Sequence, residues 1–511
     1  MPSDLVSTGL SSRTLTFFGL GGSGIRAVEP LLHLCALGLG PRQHNIVLID
    51  PDQSNAAVTR TRELLDLYRR TRAAITDDSG PGDGYFRTDV KDVIGQTALW
   101  SPIADDDTVA GDFATRVGKA LLTGSATELG TLFNLLYSQD LQRMDLTLGF
   151  RGVPSIGTVF MNRLREEPFF EQILLDARTD ANSVFFATGS IFGGTGAAGL
   201  PVLGRALVDG VSREEGRNPV QGVDAKRVGA ALLLPYFTLP APDAHSASDG
   251  GIRPEAALFA QNAAAALPTY TANQAGYSAM YVLGDDQPRE QKHNAVGGSG
   301  QDNQSHYVEL FAAMAALDFA AKGGESTAGP VFRAIGIDGA NVRWDDLPLD
   351  AASKKRLLGG VVAMHTFLTA FRPNGRSHPE LDHALKGVTW ASILGISSVD
   401  LQTHSEAFDR LGEFFKKTWI WLGELRASSP ALELVRSTGG EPTTVPLHET
   451  IEGRRASTPL PPTSAKGNEV FRYWNIAAQR HRGKGYSGLL DVMRAGSEEF
   501  AAHRFSETIN A

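Results

Sequence analysis

GSIFGGTGAAG, at residues 189–199, follows a run of apolar residues typical of a buried strand (183–187) and precedes an apolar helical pattern (200–207). Consecutive glycines in such a turn leave a row of backbone N–H groups uncovered, and Thr195 adds a hydroxyl group. These donors suit the β- and γ-phosphates of a nucleotide. The stretch therefore predicts an α/β fold with a phosphate site at a strand-to-helix junction.

A second glycine-rich turn lies near the start of the chain. GLGGSG, at residues 19–24, follows a predicted strand at 14–18 and precedes a predicted helix at 25–37. The next predicted strand, 45–49, ends in Asp50-Pro51-Asp52. An acid at this place binds a ribose hydroxyl or a metal-bound water. Because tight strand-to-helix turns also use glycines structurally, this motif alone leaves open a dinucleotide site, an adenylating enzyme and a nucleoside triphosphatase.

Composition narrows the class of protein. Of the 511 residues, 55 are glycine, about 11 % against a usual share of about 7 %, which indicates many turns. The single cysteine, Cys35, forms no internal disulfide and no cysteine-based zinc site, which indicates a reducing compartment. A net charge of -9 argues against a nucleic-acid-binding protein. The sequence predicts no membrane span and no secretory signal, so we expect a cytoplasmic protein.

The order of the predicted elements divides the chain. Strands and helices alternate over residues 1–305, which predicts a nucleotide-binding α/β domain with a parallel sheet. Beyond it the patterns are mainly helical. We expect a long central helix at 306–322, a second, mainly helical domain at 323–456 with a catalytic-type loop near 341–346, a linker at 457–468, and a C-terminal helical tail at 469–511.

At GSIFGGTGAAG and GLGGSG the chain resembles the tubulin/FtsZ superfamily. The signature of that superfamily is a GGTG(A/T/S)G phosphate loop placed after a GxGGxG-like first loop. The likeness is to this pattern rather than to close sequence, and it covers about residues 14–346. It is nearest to bacterial tubulin-like proteins that are neither FtsZ nor eukaryotic tubulin. The resemblance implies a tubulin/FtsZ-like nucleotide-binding domain followed by a long central helix.

The resemblance also implies roles for particular residues. In the superfamily the first loop contacts the α- and β-phosphates, the loop after the second strand lies near the metal ion, and a further loop contacts the γ-phosphate. GFRGVPSIG, at residues 149–157, stands in the right order for that further loop. An Asn or Asp near the start of the central helix binds the base; Asn303 is the candidate and Asn294 the reserve, although Asn303 also suits a helix N-cap. The implied nucleotide-binding residues are Gly21, Gly22, Ser23, Gly24, Asp50, Asp52, Arg151, Gly152, Gly193, Gly194, Thr195, Gly196 and Asn303.

In the sugar-binding region the chain departs from the family pattern at one position. Leu234-Pro235-Tyr236-Phe237 is similar to the family's short proline-containing run. An acid expected four residues after that proline is absent, because Leu239 occupies the place. Asp243 and Asp249 are the candidates to replace it, and the sequence does not choose between them.

Members of this superfamily complete their active site between subunits. A loop after the central helix of one protomer supplies acids to the nucleotide of the next, where a carboxylate orients the attacking water. The nearest match to the family's N-x-D-x-x-D pattern is Asn341-Val342-Arg343-Trp344-Asp345-Asp346. The second acid is present as Asp346, whereas Arg343 replaces the first and Asp345 is placed to compensate. Asp345 and Asp346 are therefore the candidate catalytic residues.

The resemblance implies a protein that binds and hydrolyses GTP. The expected ligands are GTP and GDP, with ATP as an alternative, and Mg²⁺ held through the nucleotide with no metal ligand assigned among the residues. The expected partner is a second copy of the chain, because a head-to-tail contact that does not close builds a filament. The helical C-terminal region offers a surface for a further protein partner.

Two other interpretations stay open. Because Arg343 replaces an acid, the chain is also compatible with a nucleotide-locked scaffold that does not hydrolyse. GLGGSG followed by IDPDQSNAAVTR further resembles the ThiF/MoeB-like adenylating enzymes, which activate a carboxylate with ATP. That interpretation leaves the second glycine loop without a role and offers only Cys35 as a thiol.

Overall fold

Eight strands pair in parallel in the central sheet, which we describe from a computed structural model. The structure describes residues 4–6, 8–75, 84–95, 98–103, 111–118, 127–211, 219–240, 255–271, 275–291, 298, 303–324, 332–333, 341–371, 389–396, 398–428, 431–436 and 469–510. The strands are β1 (Thr14–Leu20), β2 (Gln43–Ile49), β3 (Asp89–Asp92), β4 (Leu99–Trp100), β5 (Ser183–Ser190), β6 (Val228–Leu233), β7 (Phe237–Thr238), β8 (Ala279–Leu283), β9 (Arg289–Glu290), β10 (Phe332–Arg333), β11 (Val342–Arg343) and β12 (Leu432–Glu433). Two short pairs, β7 with β9 and β11 with β12, lie outside the central sheet.

The direction of the strand order reverses between β1 and β5. From β1 the sheet continues through β2 to β3, with β4 also paired to β2, and on the other side through β5, β6 and β8 to β10. Leu20 at the end of β1 lies opposite Gly189 in β5, so the two strands end at nearly the same level. In a parallel sheet such a reversal opens a crevice at the carboxyl ends of the strands, where ligands bind.

Along the chain, most helices connect one strand of the sheet to the next or follow the last strand of the central sheet. The α-helices are α1 (Thr8–Ser11), α2 (Gly21–Arg26), α3 (Val28–Ala36), α4 (Ala56–Ile75), α5 (Phe113–Arg116), α6 (Thr127–Leu136), α7 (Gln139–Gln142), α8 (Pro154–Met161), α9 (Pro168–Thr179), α10 (Thr195–Asp209), α11 (Phe259–Thr271), α12 (Tyr307–Ala321), α13 (Ala351–Phe371), α14 (Thr389–Leu394), α15 (Ser398–Thr403), α16 (Ser405–Ala427), α17 (Glu469–Arg480), α18 (Leu489–Arg504) and α19 (Ser506–Asn510). Short 3₁₀ turns lie at Leu146–Leu148, Asn162–Glu166, Ala225–Arg227, Ala256–Leu258, Trp344–Asp346 and Gly485–Gly488. No helix in these described ranges has the length and apolar content needed to cross a membrane.

Helices cover both faces of the sheet. One face packs against α3, α4 and α12 and, beyond them, the C-terminal helices α13, α16, α17 and α18. The other packs against α9, α10 and α11. Neighbouring residues of β1 enter opposite cores, with Phe17 in the first and Phe18 in the second, because side chains alternate along a strand. The prediction of an α/β fold with a parallel sheet is confirmed.

The central helix α12 is buried on all sides. Every residue of it except Ala321 is buried, because the sheet covers one side and α1, α2 and α3 pack against it as well. A helix that is apolar all round is stable only in such a core. The described C-terminal helices belong to the same hydrophobic core as the sheet.

The helix predicted over Ile25–Leu37 is instead two helices, α2 and α3, which separate at Ala27. Pro30 lacks an N–H group, and its ring collides with the carbonyl four residues earlier, at Arg26. The break therefore has a local cause that the sequence contains. The linker predicted at 457–468 lies outside the described residues.

Candidate functional site

A cleft opens at the carboxyl ends of β1 and β5, where the strand order reverses. It contains about 1060 Å³ of empty space, part of it open to solvent. The structure brings together in its walls all the predicted nucleotide-binding residues except Gly24. The described lining residues are Gly21, Gly22, Ser23, Arg26, Asp50, Asp52, Asn55, Ala57, Leu148, Gly149, Phe150, Arg151, Gly152, Ser190, Phe192, Gly193, Gly194, Thr195, Gly196, Tyr236, Phe237, Leu239, Phe259, Gln291 and Asn303.

The first two glycine loops touch each other. Gly21 has a φ of +69°, a left-handed conformation that favours glycine, and a Cβ atom on it would lie 3.2 Å from the Cβ of Thr195. Gly24 serves a different purpose, since a Cβ atom there would lie 2.3 Å from the carbonyl oxygen of Thr188. It permits α2 to pack closely on β5 and does not line the cleft.

A third turn closes the side of the cleft. The N–H of Val153 donates to the carbonyl of Phe150 at 2.8 Å, and the two residues between them, Arg151 and Gly152, have φ values of 46° and 79°. A positive φ is costly for a residue other than glycine, so the surroundings hold Arg151 in place. A Cβ atom on Gly194 would lie 2.8 Å from the Cβ of Phe150, so this turn also touches the second glycine loop.

The helix α10 begins in the cleft without a side-chain cap. Its N-cap residue is Gly194, which offers no side chain to the free N–H groups of the first turn. Thr195, the first residue of the helix, is buried and lines the cleft. The arrangement presents backbone donors, a hydroxyl group and the positive end of a 15-residue helix to a ligand.

Two acids from the loop after β2 lie on the opposite wall. The N–H of Asp52 donates to Asp50 Oδ1 at 3.0 Å, and Asp52 in turn accepts from Ser54 Oγ at 2.8 Å and from the N–H of Gly298 at 2.6 Å. Burial raises the pKa of Asp50 to about 8, the nearby Asp52 adds to this, and the Asp52 N–H opposes it. Asp50 is therefore protonated at neutral pH, and a cation placed beside it would favour the carboxylate.

Aromatic side chains form another part of the lining. The ring centroids of Phe192 and Phe259 are 4.7 Å apart, and Phe237 lies 5.7 Å from the first and 5.8 Å from the second. Apolar rings next to polar donors are usual in sites for small organic ligands. Leu239, at the position of the absent family acid, also lines the cleft, and the nearby polar lining residue is Gln291.

Arg26, the last residue of α2, bonds the segment of chain that contains Asn303. The Arg26 guanidinium donates to the Asn303 carbonyl at 2.8 Å and to the Gln304 carbonyl, and its Nε lies 2.5 Å from Glu309 Oε1. Tyr236 donates its hydroxyl to the same Glu309 oxygen at 3.1 Å. Burial alone lowers the pKa of Arg26, but the Glu309 charge raises it above the usual value, so this arginine stays charged.

The alternative reading of Asn303 as the N-cap of the central helix is wrong. His306 is the N-cap: its Nδ1 accepts from the N–H of Val308 at 3.2 Å, while Glu309 accepts from the N–H of His306 at 3.0 Å. Asn303 is therefore available to line the cleft. The reserve candidate, Asn294, and both candidates for the ribose, Asp243 and Asp249, lie outside the described residues.

The candidate catalytic acids lie away from the cleft of their own chain. Asp345 and Asp346 form the 3₁₀ turn after β11 and are not among the described lining residues. Asp346 Oδ2 accepts from the N–H of Arg343 at 2.7 Å, and the Arg343 side chain reaches Glu433 at 3.3 Å. Burial lowers the pKa of Lys354, whereas the charges of the two acids raise it, so Lys354 lies near both.

Several residues that shape the cleft have no predicted role in the nucleotide site, although Asn55 belongs to the IDPDQSNAAVTR stretch that resembles the adenylating enzymes. Asn55 accepts from the N–H of Ala57 at 2.8 Å and begins α4 as an N-cap, and its amide lies near Gly22. An Asn before a helical pattern is a recognisable signal, as is a Glu three residues after an N-cap, which is the position of Glu309. The pairing of Arg26 with Glu309 spans 283 residues of sequence and left no such local signal.

Neither a comparison with profiles of protein families nor a comparison with curated protein sequences finds a match to this chain. The resemblance to the tubulin/FtsZ superfamily stays a prediction from the glycine-rich motifs.

Proposed function

We propose that the cleft binds a guanine nucleotide, GTP or GDP, and that the chain is a tubulin/FtsZ-like nucleotide-binding protein. The observation that carries the proposal is the convergence of three glycine-containing turns and the uncapped N-terminus of α10 in one cleft. Backbone N–H groups at such a terminus attract phosphate, and glycines permit its close approach. The preference for GTP over ATP comes from the motif resemblance, and ATP remains the alternative.

The remaining walls suit the nucleoside. The rings of Phe192, Phe237 and Phe259 offer an apolar surface, and Asn303 offers both a donor and an acceptor to a base edge. With Leu239 in place of an acid, Gln291 is one lining side chain able to bond a ribose hydroxyl.

The acids of the β2 loop fit Mg²⁺ carried by the nucleotide. Mg²⁺ commonly binds one or two carboxylates together with phosphate oxygens and waters. Asp50 and Asp52 supply two carboxyl groups, and no group of three or more His, Cys, Asp or Glu suited to a metal ion occurs in the described part of the chain. When bound, the ion would neutralise phosphate charge, while Asp50 gives up its proton and Asp52 holds the loop through Ser54 and Gly298.

Hydrolysis would be completed between two copies of the chain. In hydrolysis a water oxygen forms a bond to the γ-phosphorus while the bond from that phosphorus to the β–γ bridging oxygen breaks. The products are GDP, inorganic phosphate and the proton that the attacking water loses. Asp345 and Asp346 lie outside their own cleft, as a site shared between protomers requires. We therefore propose head-to-tail assembly into a filament, with these acids facing the next protomer's nucleotide.

A scaffold that binds nucleotide without hydrolysis is the second candidate. The Arg343 N–H bonds Asp346, and the Lys354 ammonium lies near both acids. These contacts partly neutralise the carboxylate charge that would activate water, which favours a protein that does not hydrolyse. The adenylating-enzyme interpretation has less support, because the second glycine loop, to which it gives no role, lines the same cleft as the first.

Identification of the nucleotide that copurifies with the chain tests the proposal directly. Chromatography of the acid-released ligand should yield GDP or GTP, and calorimetry with added Mg²⁺ should detect their binding to the emptied protein. Sedimentation and negative-stain imaging with GTP, ATP or neither should give polymer with GTP. Pyrophosphate release with ATP and no polymer would refute the proposal in favour of an adenylating enzyme.

A matched pair of variants tests the site. Thr195→Val removes the hydroxyl in the cleft and keeps the side-chain shape, and we expect at least about a tenfold loss of nucleotide affinity, or about 1.4 kcal/mol. Thr179→Val makes the same change at the exposed end of α9 and should leave affinity unchanged. Equal affinity in both variants would contradict a phosphate site at α10.

A further inference from the structure

Two charged side chains from distant parts of the chain hold the segment that carries Asn303. Arg26, on the helix of the first glycine loop, binds the carbonyls of Asn303 and Gln304. Glu424, near the end of α16 in the C-terminal region, binds the next residue, Ser305. The segment is thus fixed from the glycine-loop side and from the C-terminal side.

The contact with Glu424 uses both the backbone and the side chain of Ser305. Glu424 Oε2 accepts from the Ser305 N–H at 3.3 Å and from its hydroxyl at 3.1 Å. The Ser305 hydroxyl also lies 3.3 Å from Glu29 Oε2, but a hydroxyl has one proton and donates to one carboxylate at a time. Of the two carboxylates, Glu424 is the one that also accepts from the backbone N–H of this residue.

The positive charge of Arg60 offsets the repulsion between the two carboxylates that lie beside Ser305. Its guanidinium lies 2.8 Å from Glu29 Oε1 and 2.8 Å from Glu424 Oε2. Burial raises the pKa of Glu29, but His33 and the Arg60 charge lower it to about 2, so Glu29 is ionised at neutral pH. The side chains of Glu29 and Glu424 are 11 % and 19 % exposed, so water screens this cluster only in part.

The segment contacts α2 at its last residue, Arg26, whereas the glycine turn lies at the start of that helix. Arg26 is five residues after Gly21 along α2, which corresponds to roughly 7–8 Å of helix. A change at Ser305 would therefore move Asn303 relative to a base while leaving the glycine turns in place.

We propose that Glu424 is a positioning residue for the nucleoside end of the cleft, through which the C-terminal helical region sets affinity for the base-bearing part of the ligand. This inference rests on the proposed nucleotide site. By linkage the dependence is reciprocal, so a bound nucleoside also stabilises α16.

The test compares a nucleotide with its phosphate part alone. Glu424→Ala should weaken binding of Mg-GDP at least tenfold in calorimetry and change binding of Mg-tripolyphosphate less than twofold. Glu413→Ala, an exposed glutamate on the same helix, should change neither. In hydrogen exchange, GDP should slow exchange in residues 405–427 of the wild type, whereas tripolyphosphate should not.

Different failures separate the two proposals. Equal affinity of wild type and Glu424→Ala for GDP, or an equal loss of affinity for GDP and tripolyphosphate, overturns the positioning role and leaves the nucleotide site intact. A wild type that binds neither compound refutes the nucleotide site, and the positioning role with it. If Glu424→Ala does not fold, Glu424→Asp carries the same comparison, because its shorter side chain withdraws the carboxylate from the Ser305 N–H.

Discussion

Gly21 and Thr195 lie so close together that a Cβ atom on residue 21 would be only 3.2 Å from the Thr195 Cβ. The two residues belong to turns after β1 and β5, which are neighbours in the sheet but 174 positions apart in sequence. The phosphate-binding geometry therefore depends on the pairing of two distant strands rather than on either loop alone.

Gly21→Ala should destabilise the protein more than an alanine at another left-handed glycine. The left-handed backbone alone costs about 1–2 kcal/mol, and the contact with Thr195 adds to it. Gly483→Ala is the matched control, since Gly483 has a φ of +75° and no atom within 4 Å of an added Cβ. Urea titration should place Gly21→Ala below Gly483→Ala in free energy of unfolding. Equal losses would show that the loops have room to separate.

Asp50→Asn should change how stability depends on pH. Because the folded pKa is raised to about 8 and the unfolded value is about 3.9, the stabilising proton is fully present below about pH 4. Its contribution is lost as pH rises to about 8, at roughly 1.4 kcal/mol per pH unit within that window.

The measurement for Asp50 is the difference in unfolding free energy between Asp50→Asn and the ligand-free wild type, from urea titrations at pH 5, 6, 7 and 8. The difference should grow with pH in favour of the variant. Thr179→Val, which alters an exposed residue of α9 and removes no ionisable group, should give a flat difference. A flat line for Asp50→Asn as well would mean that Asp50 is ionised in the folded protein.

Asp346→Asn should abolish phosphate release and spare nucleotide binding. Asparagine keeps an oxygen that accepts from the Arg343 N–H, so the turn is preserved while the carboxylate is removed. The measurements are inorganic phosphate release under assembly conditions and calorimetric affinity for GTP. Undiminished release would assign water activation to another group, and absent release in the wild type would favour the scaffold.

Glu309→Gln should destabilise the protein by about 3–5 kcal/mol, because it leaves the Arg26 charge without its partner. The double variant Arg26→Met/Glu309→Gln should recover part of this loss, since no unpaired charge remains. Urea titration of the single and double variants gives the coupling free energy. Additive losses would indicate that the two side chains act independently.

Much of the fold could be predicted from local patterns. The strands predicted at 14–18 and 183–187 begin at the first residues of β1 and β5, and α12 differs from the predicted central helix by one residue at each end, because their apolar runs are long. Short strands such as β3 and β4 have too few residues for a recognisable alternation.

The features of the cleft likewise include some that local sequence patterns predict and others that they do not. The glycine turns are contiguous motifs that a reader of the sequence can recognise. The Ser305 contacts with Glu29 and Glu424 span 276 and 119 residues, and single-sequence patterns contain no information on which distant charges pair. Pro30 is the opposite case, because the break between α2 and α3 follows from one residue's covalent structure.

The position of Glu424 has a consequence for synthesis of the chain on the ribosome. The glycine turn at Gly21 emerges about four hundred residues before Glu424, and the N–H of Leu5 bonds the hydroxyl of Ser353, 348 residues later. The contact between Glu424 and the segment that carries Asn303 therefore forms only after α16 has been synthesised.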